Sequence, residues 1–261
     1  MILRRLQLFP LRSPLVKFGD DLIDIILKSV YNAGLKLEDG DIIAISSKVL
    51  VLAEKGATLL NNVYVSEKAK QMASKYDLEP EFVELVLREA EEIYGGVRRA
   101  ILTLKNGMFI PNAGIDHKNA PENCVVLPVR NPREKAKEIR VKILERTGRK
   151  VGIIIVDSGL TPLRLGTRGI AIAASGFKPI RDYRGKTDLY GKNIYITLQN
   201  LADDLASAAH VLMGEGNEKI PIVLIRGAPI EFTEEEQSLT IDIEKCIFKS
   251  MIKKGIKSEE K

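Results

Sequence analysis

Tryptophan is absent from these 261 residues, aromatic residues make up 5% of them, and cysteine and histidine occur twice each. Two distant cysteines, Cys124 and Cys246, give no disulfide framework, so a secreted setting is disfavoured and a cytoplasmic one expected. His117 and His210 stand in no zinc-ligand spacing, and His210, preceded by alanines in a helical pattern, reads as a packing residue. No apolar run approaches the roughly 18–20 residues that span a bilayer. The start, Met1 to Pro10, is too short and wrongly flanked for a secretory signal and reads as an edge strand. Nor is there an aromatic-basic patch on which nucleobases could stack. The net charge of +5, forty basic against thirty-five acidic residues, is a mild excess. It suits an anionic small molecule as well as any polymer. Neither nucleic acid nor membrane is therefore expected as a partner. The length is enough for one large domain or two modest ones, and no repeat or linker divides it.

What is present is alternation of strand and helix signals. Gly19-Asp20-Asp21 opens a helix with apolar residues at Leu22, Ile23, Ile26 and Val30, and Gly34 closes it. Ile42 to Ser46 is a buried strand after the Asp39-Gly40-Asp41 turn. Ser66 and Glu79-Pro80 start two further helices, Pro80 suiting a first helical position. Asn106-Gly107 between two β-prone runs predicts a type I′ hairpin. Asn131-Pro132-Arg133-Glu134 resembles a capping box launching a helix to about Thr147. Strands are expected near 151–156, 168–174, 193–197 and 221–226, with a long helix from Gln199 to Met213. A last helix from about Glu234 precedes a charged tail, so that residues 228–261 form a C-terminal helix and tail. Hairpins mixed with helices predict an α+β fold of mixed sheets with flanking helices rather than a doubly wound parallel sheet.

Carboxylates carry the chemistry. Asp157-Ser158 ends the apolar run Val151 to Val156, Asp116 follows a predicted strand, and Glu215 lies in Met213-Gly214-Glu215-Gly216. Three acids from separate elements, each beside glycine or a small polar residue, predict a magnesium-type site with Ser158 adding an oxygen. Taken singly, each is better explained as a turn or cap residue. Lys48 follows a buried strand and is placed to meet a phosphate as a point charge, a solvated loop lysine being the alternative. Arg164 and Arg168 flank Gly166 as an anion clamp. Two nucleotide motifs fail. Gly185-Lys186-Thr187 has Ile180 where a P-loop needs glycine, and Gly214-Glu215-Gly216 has Lys219 where a dinucleotide fingerprint needs one.

Taken in order, several blocks resemble the coenzyme F420 γ-glutamyl ligase family. They are Gly40 to Ser47, Asn112-Ala-Gly-Ile-Asp116 with Asn119, and Asp157-Ser158 with Arg164 and Gly166. Asp182 with Gly185, Asp188 to Gly191, and Met213 to Gly216 complete the set. The match spans about residues 6 to 227. The resemblance implies a ligase that adds L-glutamate to a deazaflavin precursor using GTP through an acyl phosphate, with Mg2+ or Mn2+ bridging phosphates and room for K+. It also implies a two-lobed subunit and an intertwined homodimer. By position, Asp116, Asp157 and Glu215 take the metal-ligand role, with Ser158 beside a second ion. Ser13, Pro14, Leu15, Val16, Ser47, Lys48 and Asn119 would contact GTP, together with the stretch from Met213, Gly214, Gly216 and Asn217 to Ile220. Lys48 and Arg164 are the expected catalytic cations.

Two departures stand out. The family usually has Ser-Lys-Ala-Glu-Gly after the first buried strand, whereas this chain has Leu52 at the lysine position, with Lys48 and Lys55 as substitutes nearby. Where Gly-Arg is common after Asp-Ser, this chain has Leu160-Thr161. Losing a bidentate anion donor changes substrate contacts more than fold. A divergent homologue that binds a nucleotide or deazaflavin without ligation, or an amide ligase with another acid and amine, is the alternative.

Overall fold

A computed structural model describes residues 5–248 and 256–257. Its centre is a five-stranded sheet. β1 (Gln7–Leu11) forms one edge, followed by β12 (Ile222–Arg226), β2 (Ile42–Ser46), β8 (Gly152–Gly159) and β9 (Arg168–Ser175). Only β2 and β8 run parallel; the other neighbours are antiparallel. Residues 42–45 of β2 and 153–156 of β8 are continuous apolar runs because both faces are covered there. Ile43, Ile45, Ile153 and Ile155 point into one core, under α1 (Leu22–Asn32), α2 (Ser47–Lys55) and α5 (Pro132–Thr147). Ile42, Ala44, Ile154 and Val156 point into the opposite core, against α6 (Leu201–Met213). The period of two along each strand assigns alternate residues to the two cores.

A separate core is built by α3 (Glu67–Tyr76) and α4 (Pro80–Glu89) on a smaller sheet. That sheet orders β13 (Ile256–Lys257), β4 (Glu92–Val97), β5 (Ala100–Lys105) and β6 (Met108–Pro111). β5 and β6 are joined by the expected hairpin, with Asn106 at φ 51° and Gly107 at φ 71°. Two short ribbons, β3 (Thr58–Leu59) with β7 (Cys124–Val125) and β10 (Ile180–Asp182) with β11 (Leu198–Asn200), complete the α+β architecture. The buried Asp41 takes two hydrogen bonds from the Arg226 guanidinium at 2.7 Å each, tying β12 to the turn before β2.

Four local expectations are corrected. Asn131 precedes α5 but adopts φ 47°, a left-handed geometry that aims its side chain away from the first turn, so no capping box forms. β8 does not stop before Asp157 but runs on to Gly159, because β9 pairs with it past a bulge at Ile155/Val156. Residues 193–197 form no strand; Tyr195 and Ile196 are exposed, so no buried face fixes a register. From Glu234 to Phe248 the described residues form no long helix. Glu234 and Glu236 pair with Arg140 and Lys137 on α5, and the segment reaches only a short turn at Ile243–Lys245. Apart from Ile256–Lys257, the charged tail lies outside the described residues.

Candidate active site

The parallel strands β2 and β8 end side by side, and a cavity of about 240 Å³ opens at that edge. Such a position is favoured for ligands because strand ends and helix starts converge there. One wall is the start of α2, contributing Ser46, Lys48, Val49 and Leu52. Ser46 caps α2 without a side-chain hydrogen bond, so the helix brings unpaired N–H groups and the positive end of its dipole to the wall. The floor is Val156, Asp157 and Ser158 from β8. The other walls are the segment Ser13–Val16 and the loop running from Met213 to Pro221.

Local conformation explains several of these placements. Gly214 ends α6 at φ 69° and ψ −172°, a region open essentially to glycine alone, and so turns the loop back over the cavity. Lys219 O accepts the Ser13 N–H at 3.2 Å, joining the two walls. Asp116 arrives from a left-handed turn. Asn112, Ala113 and Gly114 have φ of 52°, 52° and 79°. Asn112 Oδ1 accepts the Ile101 N–H, and Thr103 Oγ1 accepts the Ala113 N–H. Paired backbone bonds between Asp116 and Val126 then fix the aspartate beside the cavity. Gly169 lets α6 lie against β9. A Cβ there would stand 2.5 Å from both Ala206 O and His210 Cβ.

The acids face cations and one another. Asp116 Oδ2 meets Lys48 Nζ at 2.7 Å, and its Oδ1 accepts the Lys118 N–H at 2.8 Å. Glu215 Oε2 accepts from Lys118 Nζ at 2.9 Å, while Oε1 takes the Thr167 hydroxyl at 2.6 Å and lies 3.0 Å from His210 Nε2. Asp157 Oδ1 accepts the Ser158 N–H at 2.8 Å. Desolvation pushes the Asp157 carboxyl above its ordinary value, against hydrogen bonds from Ser158 and Ser47 and the charge of Lys48. Burial pushes Glu215 upward too, but hydrogen bonds from Thr167, Lys118 and Ser158 more than offset it and lower the carboxyl to about 2. Lys118 is raised, first by its bond to Glu215 and further by the charges of Asp116 and Asp157. The donor set is hard oxygen throughout, the chemistry that fits Mg2+ or Mn2+. Among the described residues, no three His, Cys, Asp or Glu side chains are drawn together as a finished metal site; lysine ammoniums stand between the acids.

Most of the expected positions come together here. Ser13, Pro14, Leu15, Val16, Lys48, Asn119, Met213, Gly214, Gly216, Asn217, Asp157, Ser158 and Glu215 all line the cavity. Asp116 adjoins it through Lys48. Ser47 is buried behind the wall against Asp157. Arg164 and Leu160 are exposed and Thr161 is half-buried on the turn after β8, all three outside the cavity wall. Leu52 does line the cavity; Lys55 is exposed and does not. Sequence reading missed Lys118, Thr167 and His210. His210 is no mere packing residue, since its ring faces Glu215 and Ser158, the latter at 3.4 Å. Its place one helical turn before Gly214 was the available signal, as was the position of Lys118 two residues after Asp116.

Comparison with known proteins places these features in context. The family model described as F420-0:gamma-glutamyl ligase matches residues 10–227. A coenzyme F420:L-glutamate ligase from Archaeoglobus fulgidus is 36% identical over 253 residues, covering 93% of this chain and all of the relative. Proteins of the same name from Methanopyrus kandleri and Methanocaldococcus jannaschii are 39% and 38% identical, covering 89% and 88% of this chain and 90% of each relative. Among the described residues no helix is long and apolar enough to cross a membrane.

Proposed function

This chain belongs to the F420-0:gamma-glutamyl ligase family, and from that premise we propose that it joins L-glutamate to the carboxylate of a deazaflavin precursor at the expense of GTP. The observation that carries the reading is the convergence of the cavity walls with Asp157, Ser158 and Glu215. The GTP phosphates would lie at the start of α2, where Lys48 supplies a point charge and the helix N–H groups supply donors. The precursor carboxylate attacks the γ-phosphorus, the bond to the β-phosphate oxygen breaks, and GDP leaves. The glutamate amine then attacks the acyl carbon, loses a proton, and expels inorganic phosphate.

Asp116, Asp157 and Glu215 would hold Mg2+ or Mn2+, with Ser158 alongside. When bound, such ions neutralise phosphate charge during transfer. Lys48 and His210 orient Asp116 and Glu215, and Thr167 donates to the same Glu215 oxygen, Oε1, that His210 faces. Ser158 Oγ and Glu215 Oε1 face the same His210 nitrogen, Nε2, so His210 is not held by the acid through one ring nitrogen while taking a proton from Ser158 through the other; this favours transfer through the substrate's own carboxylate over an acyl-enzyme. Large exposed apolar side chains at Leu163, Leu165, Leu189, Tyr190 and Ile196 suit burial between two copies, in keeping with a homodimer.

Leu52 favours a second reading, nucleotide or deazaflavin binding without ligation, because it places an apolar side chain in the wall where the family pattern has a lysine. Lys48 lies one turn earlier on the same face of α2 and supplies the charge instead. Incubation with GTP, Mn2+, L-glutamate and the deazaflavin precursor, followed by mass spectrometry, separates the two. Ligation yields the precursor heavier by a glutamyl residue; binding with no conjugate under any acid–amine pair supports the second reading.

A further inference from the structure

Lys118 places its ammonium on Glu215 and within reach of the charges of the other two acids. Its ammonium donates to Glu215 Oε2 at 2.9 Å and lies within the fields of Asp116 and Asp157. Its backbone is fixed, because the Lys118 N–H is held by Asp116 Oδ1 at 2.8 Å and the next residue, Asn119, sits at φ 61° with its amide on Gly216 O. The side chain is not fixed in the same way: it is 52% exposed, against 21% for Lys48. One of the two lysines at the acids is therefore walled in, and the other is free on its solvent side.

A divalent ion on Glu215 and an ammonium at hydrogen-bond distance from the same carboxylate repel each other strongly. With their two lysines, Asp116, Asp157 and Glu215 carry an excess of one negative charge when all are ionised. Removing one lysine from that set leaves room and charge for a dication. We propose that Lys118 is a tethered counter-cation, its ammonium holding a divalent cation's place at Glu215 and swinging out to solvent when the ion enters. This rests on the reading of the three acids as a divalent-cation site. Only the side chain moves; the Asp116–Lys118 turn and the Asn119 contact stay in place. Lys118 thereby compensates the Glu215 carboxylate before the ion arrives, as Lys48 does Asp116, at a modest cost in ion affinity. An ion pair this exposed is weak, so that cost is a factor of about two to five in affinity.

The test is Mn2+ binding to the full chain, measured by calorimetry and by electron paramagnetic resonance of free Mn2+. Wild type is compared with Lys118→Gln and Lys118→Arg, with thermal melting to show that each is folded. Lys118→Gln should bind Mn2+ about two- to fivefold more tightly, and Lys118→Arg should stay near wild type. Independently, Mn2+ should raise the rate at which acetic anhydride acetylates Lys118, read by peptide mass spectrometry. Unchanged or weaker Mn2+ affinity in Lys118→Gln overturns the proposal, as does acetylation of Lys118 that ignores Mn2+. Failure of every variant, wild type included, to bind Mn2+ overturns the cation site itself instead.

Discussion

Glu215 and Asp157 titrate in opposite senses, and the pair gives the site an acid signature. Glu215 drops from the ordinary 4.5 to about 2. The stability it contributes is therefore present above about 4.5 and is lost as pH falls through about 2. Asp157 is raised above the ordinary 3.8, so its contribution is present below that value and is lost as pH rises through its folded value. The two partly offset each other near pH 4. Glu215→Gln should accordingly flatten the fall in melting temperature between roughly pH 5 and 2; a fall as steep as wild type would mean that Thr167, Lys118 and Ser158 do not hold the carboxylate. The lysines separate as cleanly. Lys48 lines the cavity and grips Asp116, whereas Lys55 is exposed outside it. Lys48→Ala should weaken GTP binding by about ten- to a hundredfold, the scale of a lost charge-assisted hydrogen bond. Lys55→Ala should leave it unchanged. Calorimetry with GTP decides, and the reverse order would move the phosphate subsite to the far end of α2.

At the scale of elements, the close approach of β9 to α6 sets the distance from Ser158 to His210 and Glu215. Gly169→Ala puts a Cβ 2.5 Å from Ala206 O, a backbone atom that cannot yield without moving the helix. That substitution should cost about 1–3 kcal/mol in denaturant unfolding and impair ligation beyond the loss of folded protein. Wild-type activity per folded molecule would show that the His210–Glu215 contact has no part in the site. Much at this scale was legible in the sequence. Continuous apolar runs at 42–45 and 153–156 announced strands buried on both faces, and Asn106-Gly107 announced its hairpin. Misses came where long-range partners decide. β9 extends β8 past Asp157, Asn131 adopts a left-handed backbone that no dipeptide rule anticipates, and Glu234 and Glu236 pair with Arg140 and Lys137 of α5 instead of starting a helix. The acids were visible one by one; that Lys118, Thr167 and His210 would complete them depended on packing between elements far apart in sequence.

For the molecule as a whole, segments distant in the chain meet at one edge of the central sheet. The stretch Ser13–Val16, the start of α2, the end of β8 and the loop after α6 form a single cavity, and the turn before β7 brings Asp116 to its rim. Such an assembly would place the phosphates, carboxylate and acceptor of the proposed reaction within one enclosure, as phosphoryl transfer to a carboxylate requires. The nucleotide products test this most directly. With GTP, Mn2+, L-glutamate and the deazaflavin precursor all present, each amide formed should be matched by one GDP and one inorganic phosphate. Nucleotide turnover should cease when the precursor is withheld. GMP and pyrophosphate as the matched products, or amide formed with no GTP consumed, would contradict transfer of the γ-phosphoryl group to the carboxylate.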